Sequence, residues 1–157
     1  MKDLALERLP LFEGMAPADA EALVRLGETR LYPAGTVLFG QGDPADRLYI
    51  LLEGQAAIRF KPHDGETLTV AEIGPGGVFG WSAALGRRSY TSGAVCLQDA
   101  RAFSLRGESL RHLCETRPET GVVILERLAH VIAERLCSTH DQVVELLRLG
   151  MQNRARP

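Results

Sequence analysis

No apolar run in this sequence approaches the length of a membrane span. The longest, Leu48 to Leu52, falls far short of the roughly 20 residues that a spanning helix needs. The N-terminus, Met1-Lys2-Asp3-Leu4, carries charge early and no extended apolar core, so no secretory signal is expected. Cysteine is scarce as well: Cys96, Cys114 and Cys137 are an odd number without a CxxC pair. That argues against a disulfide framework or a Cys-rich zinc site and makes a reducing cytoplasm the default. Nor is there an excess of positive charge. Eighteen Lys and Arg against 20 Asp and Glu leave a net charge of −2, which argues against a broad basic surface gripping a nucleic acid backbone. A Walker loop, HExxH, GxSxG and a Ser-His-Asp spacing are all missing, and no enzyme is expected.

What remains is a chain of 157 residues, 45% hydrophobic and 24% charged, without tandem repeats. It reads as one ordinary domain. Most of the 16 glycines fall between Gly27 and Gly93, whereas after Pro118 only Gly121 and Gly150 remain. A stretch punctuated by turn residues reads as short strands, and one almost free of them as helix. Short helices are expected at Asp3 to Arg8 and at Pro17 to Leu26, where Pro17 suits a first helical position and Ala20, Leu23, Val24 and Gly27 share helical spacing. Strand-like runs follow at 36–39, 47–52, 55–60, 67–70, 93–97 and 101–105. Pro33-Ala34-Gly35 fits a type II turn and His63-Asp64-Gly65 a hairpin tip. So many short strands predict a closed or rolled antiparallel sheet.

Helix returns at Ser109 to Thr116. Pro118 then opens a long amphipathic stretch that could run to Leu149, with Leu125, Leu128, Ile132, Leu136, Val143 and Leu147 mostly three or four apart. Some 30 residues make about 45 Å of helix, more than one side of a small β-domain covers. The excess predicts a homodimer whose seam holds Leu125, Ile132, Leu136 and Val143. A single break at Ser138 to Asp141, folding the stretch back as two helices, is the alternative. The organisation expected is thus a single domain over 1–149 and a polar tail at 150–157. Within the domain, 1–28 are N-terminal helices, 29–106 a β-roll and 107–149 C-terminal helices.

Two strings carry more than fold. One runs Tyr32-Pro33-Ala34-Gly35-Thr36-Val37-Leu38-Phe39, then Gln41-Gly42-Asp43-Pro44-Ala45-Asp46-Arg47-Leu48-Tyr49-Ile50-Leu51-Leu52-Glu53-Gly54; the other is Ile73-Gly74-Pro75-Gly76-Gly77-Val78-Phe79-Gly80. Together they resemble the cyclic nucleotide-binding domain of catabolite-activator-type bacterial regulators, protein kinase A regulatory subunits and nucleotide-gated channels. The resemblance implies an eight-stranded, jelly-roll-like β-roll, mostly β with flanking α. It also implies that the terminal helix acts as a lid or dimer interface. Gly80 followed by Ser82-Ala83-Ala84-Leu85 reads as a tight turn into one short helix, the phosphate-binding cassette, whose N–H groups attract an anion. The ligand-binding set expected from the resemblance is Gly77, Val78, Phe79, Gly80, Trp81, Ser82, Ala83, Arg88, Tyr90 and Thr91.

The sequence departs from the family at two decisive places. A glutamate that accepts from the ribose 2′-hydroxyl is replaced by Trp81, which cannot accept. For the arginine that pairs bidentately with the cyclic phosphate, ungapped register from Asp99 places Tyr90. A two-residue shift would place Arg88 there instead. Two readings of Trp81 and Tyr90 stand side by side: aromatics that fill a vacated pocket, or an aromatic-walled pocket for a different, less anionic ligand. Either way cAMP and cGMP are expected to bind weakly.

Other candidates carry less. Asp43 and Glu53 sit at turns, where acids cap. His130, Cys137 and His140 are close on one helix but read as packing and surface rather than as a metal or haem site. Cys96 and Cys114 read as small apolar groups. Family members with an iron–sulfur cluster have N-terminal cysteines, and none stands before Cys96. Transcription regulators of this type continue into a helix-turn-helix. Only Gly150 to Pro157 follows here, so direct DNA binding is not expected of this chain. The function expected is a non-enzymatic regulatory domain signalling to a partner protein. A dimerisation module without a ligand, or the effector fragment of a transcription regulator, is the alternative.

Overall fold

Pro17 stands at the first turn of α1 (Pro17–Leu26), where its missing N–H costs no helical hydrogen bond. The computed structural model describes residues 9–154, with the backbone alone at 136–139, 142–143, 146 and 151–154. The helix expected at Asp3 to Arg8 lies outside the described residues. Pro10 to Phe12 make one 3-10 turn ahead of α1.

Eight strands follow among the described residues: β1 (Gly27–Tyr32), β2 (Val37–Phe39), β3 (Arg47–Glu53), β4 (Ala56–Phe60), β5 (Leu68–Ile73), β6 (Val78–Phe79), β7 (Gly93–Cys96) and β8 (Ala100–Arg106). They form two antiparallel four-stranded sheets, in the orders β1-β8-β3-β6 and β2-β7-β4-β5. This is the β-roll that the strand pattern predicts. The Pro33 turn also forms as expected. Gly35 has φ +88° at its third position, and the Thr36 amide donates to the Pro33 carbonyl at 3.1 Å.

Two strands were not legible. Gly27 continues the helical spacing of α1 in sequence, yet it opens β1 opposite Leu105. Any side chain there would collide with the Ser104 carbonyl and the Phe103 ring. The rest of β1 is an exposed edge with no apolar alternation to betray it; Leu31 is 78% exposed. The other strand, β6, has only two residues between glycine turns.

Strand β3 is buried on both faces, which is why it reads as an unbroken apolar run. Leu48, Ile50 and Leu52 face a core shared with Leu23, Phe103, Leu110 and Ile124. Tyr49 and Leu51 face the space between the sheets, with Phe39, Phe79, Tyr90 and a set of alanines.

The last two helices are α2 (Gly107–Thr116) and α3 (Pro118–Arg154). Helix α3 has 37 residues without interruption, about 55 Å at 1.5 Å per residue. It neither breaks at Ser138 to Asp141 nor stops at Leu149; the expected tail is helical as far as Arg154. Its first half is bolted to the N-terminal helical segment and to the core. Thr120 Oγ1 donates to Asp19 Oδ1 at 2.8 Å, Arg127 donates to the Pro10 carbonyl at 2.9 Å, and Ile124 and Leu128 enter the core. The apolar stripe therefore splits: Leu128 belongs to the domain core, whereas Val122, Leu125 and Leu147 are exposed. Leu136 and Val143 are among the side chains outside the description. No helix among the described residues is long and apolar enough to cross a membrane.

Removing a core contact of α3 should cost accordingly. Ile124→Ala is expected to lower unfolding stability by about 2–5 kcal/mol in denaturant titration. Leu31→Ala, on the exposed edge strand, should stay within about 0.5 kcal/mol.

Candidate functional site

The site begins at Gly80, where β6 ends and only glycine fits. Its φ is +74°, and a Cβ would sit 2.9 Å from the Arg47 carbonyl oxygen and 3.2 Å from the Tyr49 ring. Residues 81–86 then wind through successive turns and not the short helix expected from the sequence. The amides of Ala83, Leu85, Gly86 and Arg87 donate to the carbonyls of Gly80, Trp81, Ala83 and Ser82 in turn. Those four N–H groups are used within the cassette itself, so no regular helix start presents them to an anion. The cassette is also held from outside. Arg111 of α2 donates to the Ala83 carbonyl at 3.0 Å.

Tyr90 enters from the other side. Its ring stacks on Phe39 with centroids 3.8 Å apart and 18° between planes. Its hydroxyl accepts from the Arg47 amide at 2.9 Å and donates to the Arg47 carbonyl at 2.6 Å. The side chain is 3% exposed and part of the inter-sheet core. Burial raises the phenol pKa of both Tyr90 and Tyr49 above the ordinary 10.0.

A cavity of about 180 Å3 remains beside these residues, lined by Phe39, Ile58, Val70, Ala71, Phe79, Gly80, Trp81, Ser82, Tyr90, Thr91, Ser92 and Arg135. Arg135 comes from α3. It donates to the Val78 carbonyl and lies over the Trp81 ring, 4.8 Å from the centroid, in a cation–π contact. Desolvation lowers its pKa from the ordinary arginine value, although a guanidinium stays charged in proteins.

Comparison with known proteins decides what this arrangement belongs to. The profile of the cyclic nucleotide-binding domain matches residues 29–117. A CRP-like cAMP-activated global transcriptional regulator of Mycobacterium tuberculosis is 32% identical over 145 residues, 92% of this chain and 63% of the relative. This chain belongs to the cyclic nucleotide-binding domain family. The crystal structure of the Thermus thermophilus catabolite activator protein superposes with a TM-score of 0.72 at 30% identity, over 88% of this chain and 63% of that one. The N-terminal domain of a transcriptional regulator from Streptomyces coelicolor gives 0.69 at 27% identity, over 88% and 94%. The chain thus spans 63% of the length of the mycobacterial relative and 57% of that of a cyclic AMP receptor protein of Thermus thermophilus.

Within this cyclic nucleotide-binding domain the residues singled out from sequence separate into three groups. Phe79, Gly80, Trp81, Ser82, Tyr90 and Thr91 line the cavity together. Gly77, Val78 and Ala83 act through the backbone: the Gly77 carbonyl accepts from the Leu51 amide, and those of Val78 and Ala83 accept from Arg135 and Arg111. Arg88 is exposed and absent from the lining. Asp43 caps a turn, accepting from the Gly40 amide at 2.8 Å. Among the described residues no three metal-binding side chains converge, and the exposed His130 pairs with Glu134 at 3.2 Å. Cys96 is buried, and burial raises its pKa and that of Cys114, as befits packing thiols.

Arg135 was missed because the site was sought along the cassette. The signal was present: Arg135 lies seven residues after Leu128 and four after Val131, on the face of α3 that packs inward.

Tyr90→Phe leaves the half-buried Arg47 amide without its Tyr90 acceptor, an expected loss of about 1–3 kcal/mol in denaturant titration. The neutral phenols are the native forms, so stability is full below pH 10.0 and falls as pH rises above it, where the unfolded chain ionises first. Tyr90→Phe should make that alkaline fall shallower.

Proposed function

We propose that this domain is a non-enzymatic regulatory module whose pocket has turned from cyclic nucleotides to a smaller, less anionic ligand. It passes its state to a partner protein through α3. The Tyr90 ring carries the reading. It lies in the inter-sheet core at the place where the family resemblance, in ungapped register, calls for the phosphate-binding arginine. Trp81 offers no acceptor for a ribose hydroxyl. The remaining space, about 180 Å3, is below the roughly 300–1,000 Å3 usual for ligand pockets. From the mycobacterial relative, named for activation by cAMP, this reading takes the regulatory role and not the ligand.

Signal transfer has a physical route. The cassette's own carbonyls are held by Arg111 of α2 and, just before Gly80, by Arg135 of α3. A ligand that moves Trp81 or the β6 end pulls on both helices. It shifts the equilibrium only by as much as it distinguishes the two arrangements. The exposed apolar residues Val122 and Leu125, beside buried Ile124 and Leu128, favour a second copy as the partner of α3.

Two measurements test this. Each lost charged partner costs about 1.5–3 kcal/mol, so the two departures together weaken cAMP roughly a hundredfold or more. Calorimetry should find no cAMP or cGMP binding in the low micromolar range; finding it there overturns the reading. For the interface, Leu125→Glu places an acid against its symmetry mate. Light scattering should give a dimer for the parent and a monomer for the variant, and a monomeric parent removes the dimer.

A further inference from the structure

Of the seven aspartates in the chain, Asp64 alone is followed by glycine. An aspartyl carboxyl can be attacked by the amide nitrogen of the next residue, and a glycine there has no side chain to crowd the approach. The fold blocks that attack at the other described aspartates, each by its own contact. Asp43 precedes Pro44, which has no N–H, and its carboxylate accepts from the Gly40 amide at 2.8 Å. After Asp46, the Arg47 amide is donated to the Tyr90 hydroxyl at 2.9 Å. Asp99 accepts from the Ala34 amide at 2.8 Å, and the next residue, Ala100, opens β8 opposite Tyr32. Asp19 accepts from the Thr120 hydroxyl at 2.8 Å, and the Ala20 amide donates to the Ala16 carbonyl at 3.0 Å. Asp141 lies within α3, whose helical ladder takes the amide that follows.

Asp64 has no such guard. It stands in the exposed stretch 63–68 between β4 and β5. Among the described residues neither its carboxyl nor the Gly65 amide has a hydrogen-bond partner, and the carboxyl is in no ion pair. We propose that Asp64 is a site of spontaneous isoaspartate formation, left reactive where the fold protects the other described aspartates. The Gly65 nitrogen bonds to Asp64 Cγ, the C–O bond of the carboxyl hydroxyl breaks, and that hydroxyl leaves with the amide proton as water. A five-membered imide results. Water then adds back and opens one of the two ring C–N bonds. Opening at Cγ restores aspartate. Opening at the α-carbonyl leaves the main chain running through Cβ and Cγ, with a free α-carboxylate and no net change in composition. The stretch so lengthened joins the two strands that bring Ile58, Val70 and Ala71 to the cavity. Its β4 end is fixed, because the Gln41 side chain holds the Lys61 amide at 2.8 Å and the Lys61 carbonyl at 3.2 Å.

The test ages the intact chain for several weeks in neutral buffer, one sample folded and one unfolded in urea. Each is then digested, and electron-transfer fragmentation of the aspartyl peptides distinguishes isoaspartate from aspartate. In the folded chain isoaspartate should accumulate at position 64 at least about tenfold faster than at Asp19, Asp43, Asp46, Asp99 or Asp141. Unfolding should change the rate at Asp64 by no more than about threefold, while raising the rates at Asp46 and Asp99, whose guards are contacts of the fold. An isoaspartyl methyltransferase with labelled S-adenosylmethionine counts the product independently. Asp64→Glu should remove most of that count, because glutamate would have to close a less favoured six-membered ring. No isoaspartate at position 64 of the folded chain, an equal rate at Asp46 or Asp99, or a larger acceleration of Asp64 on unfolding overturns the inference. The comparison between positions is made within one parent sample and stands however the variant folds.

Discussion

The hydroxyl of Tyr90 accepts from the Arg47 amide and donates to the Arg47 carbonyl, while its ring lies flat on Phe39. Arg47 is half-buried at the first position of β3, and the Tyr90 hydroxyl gives both of its backbone groups a partner. Tyr90 therefore serves the core as much as the pocket. It joins the stack of Phe39, Phe79 and Tyr49 that fills the inter-sheet space otherwise lined by small residues such as Ala94 and Ala102. A side chain fixed in this way cannot swing out cheaply to admit a phosphate.

That constraint shapes what the neighbouring elements can do. The amides of Ala83, Leu85, Gly86 and Arg87 are used by the cassette's own carbonyls, and among the described residues the cation that lines the cavity is Arg135, supplied by α3 rather than by the β-roll. The first half of α3 stays anchored through Thr120, Ile124 and Arg127. Anything that draws Arg135 acts beyond those anchors, on the part of the helix leading away from the roll. Pocket and helix α3 thus share one residue.

The β-roll was legible because its devices are local. Pro33-Ala34-Gly35 makes its turn by backbone preference alone, and the apolar run of β3 announces burial on both faces. Strand β1 was hidden by its exposure, and its first residue, Gly27, was claimed by the periodicity of α1. The Phe79-Gly80-Trp81 wall and Tyr90 were found through their spacing to known motifs. Arg88 was offered by the same spacing, and it faces solvent. Arg135 could not be found that way, because its approach to Trp81 depends on how α3 crosses the roll. Similarly, the division of the α3 stripe into Leu128 inward and Leu125 outward depends on where the Arg127 and Thr120 bonds set the helix rotation.

The central claim is that Trp81 and Tyr90 together close this site to cyclic nucleotides. Its most direct test is calorimetric titration of cAMP into the parent and into the double variant W81E/Y90R, with circular dichroism establishing that both are folded. The account predicts weak or undetectable binding by the parent and a gain of roughly a hundredfold or more in the variant. A parent that binds cAMP as tightly as the folded variant would contradict it.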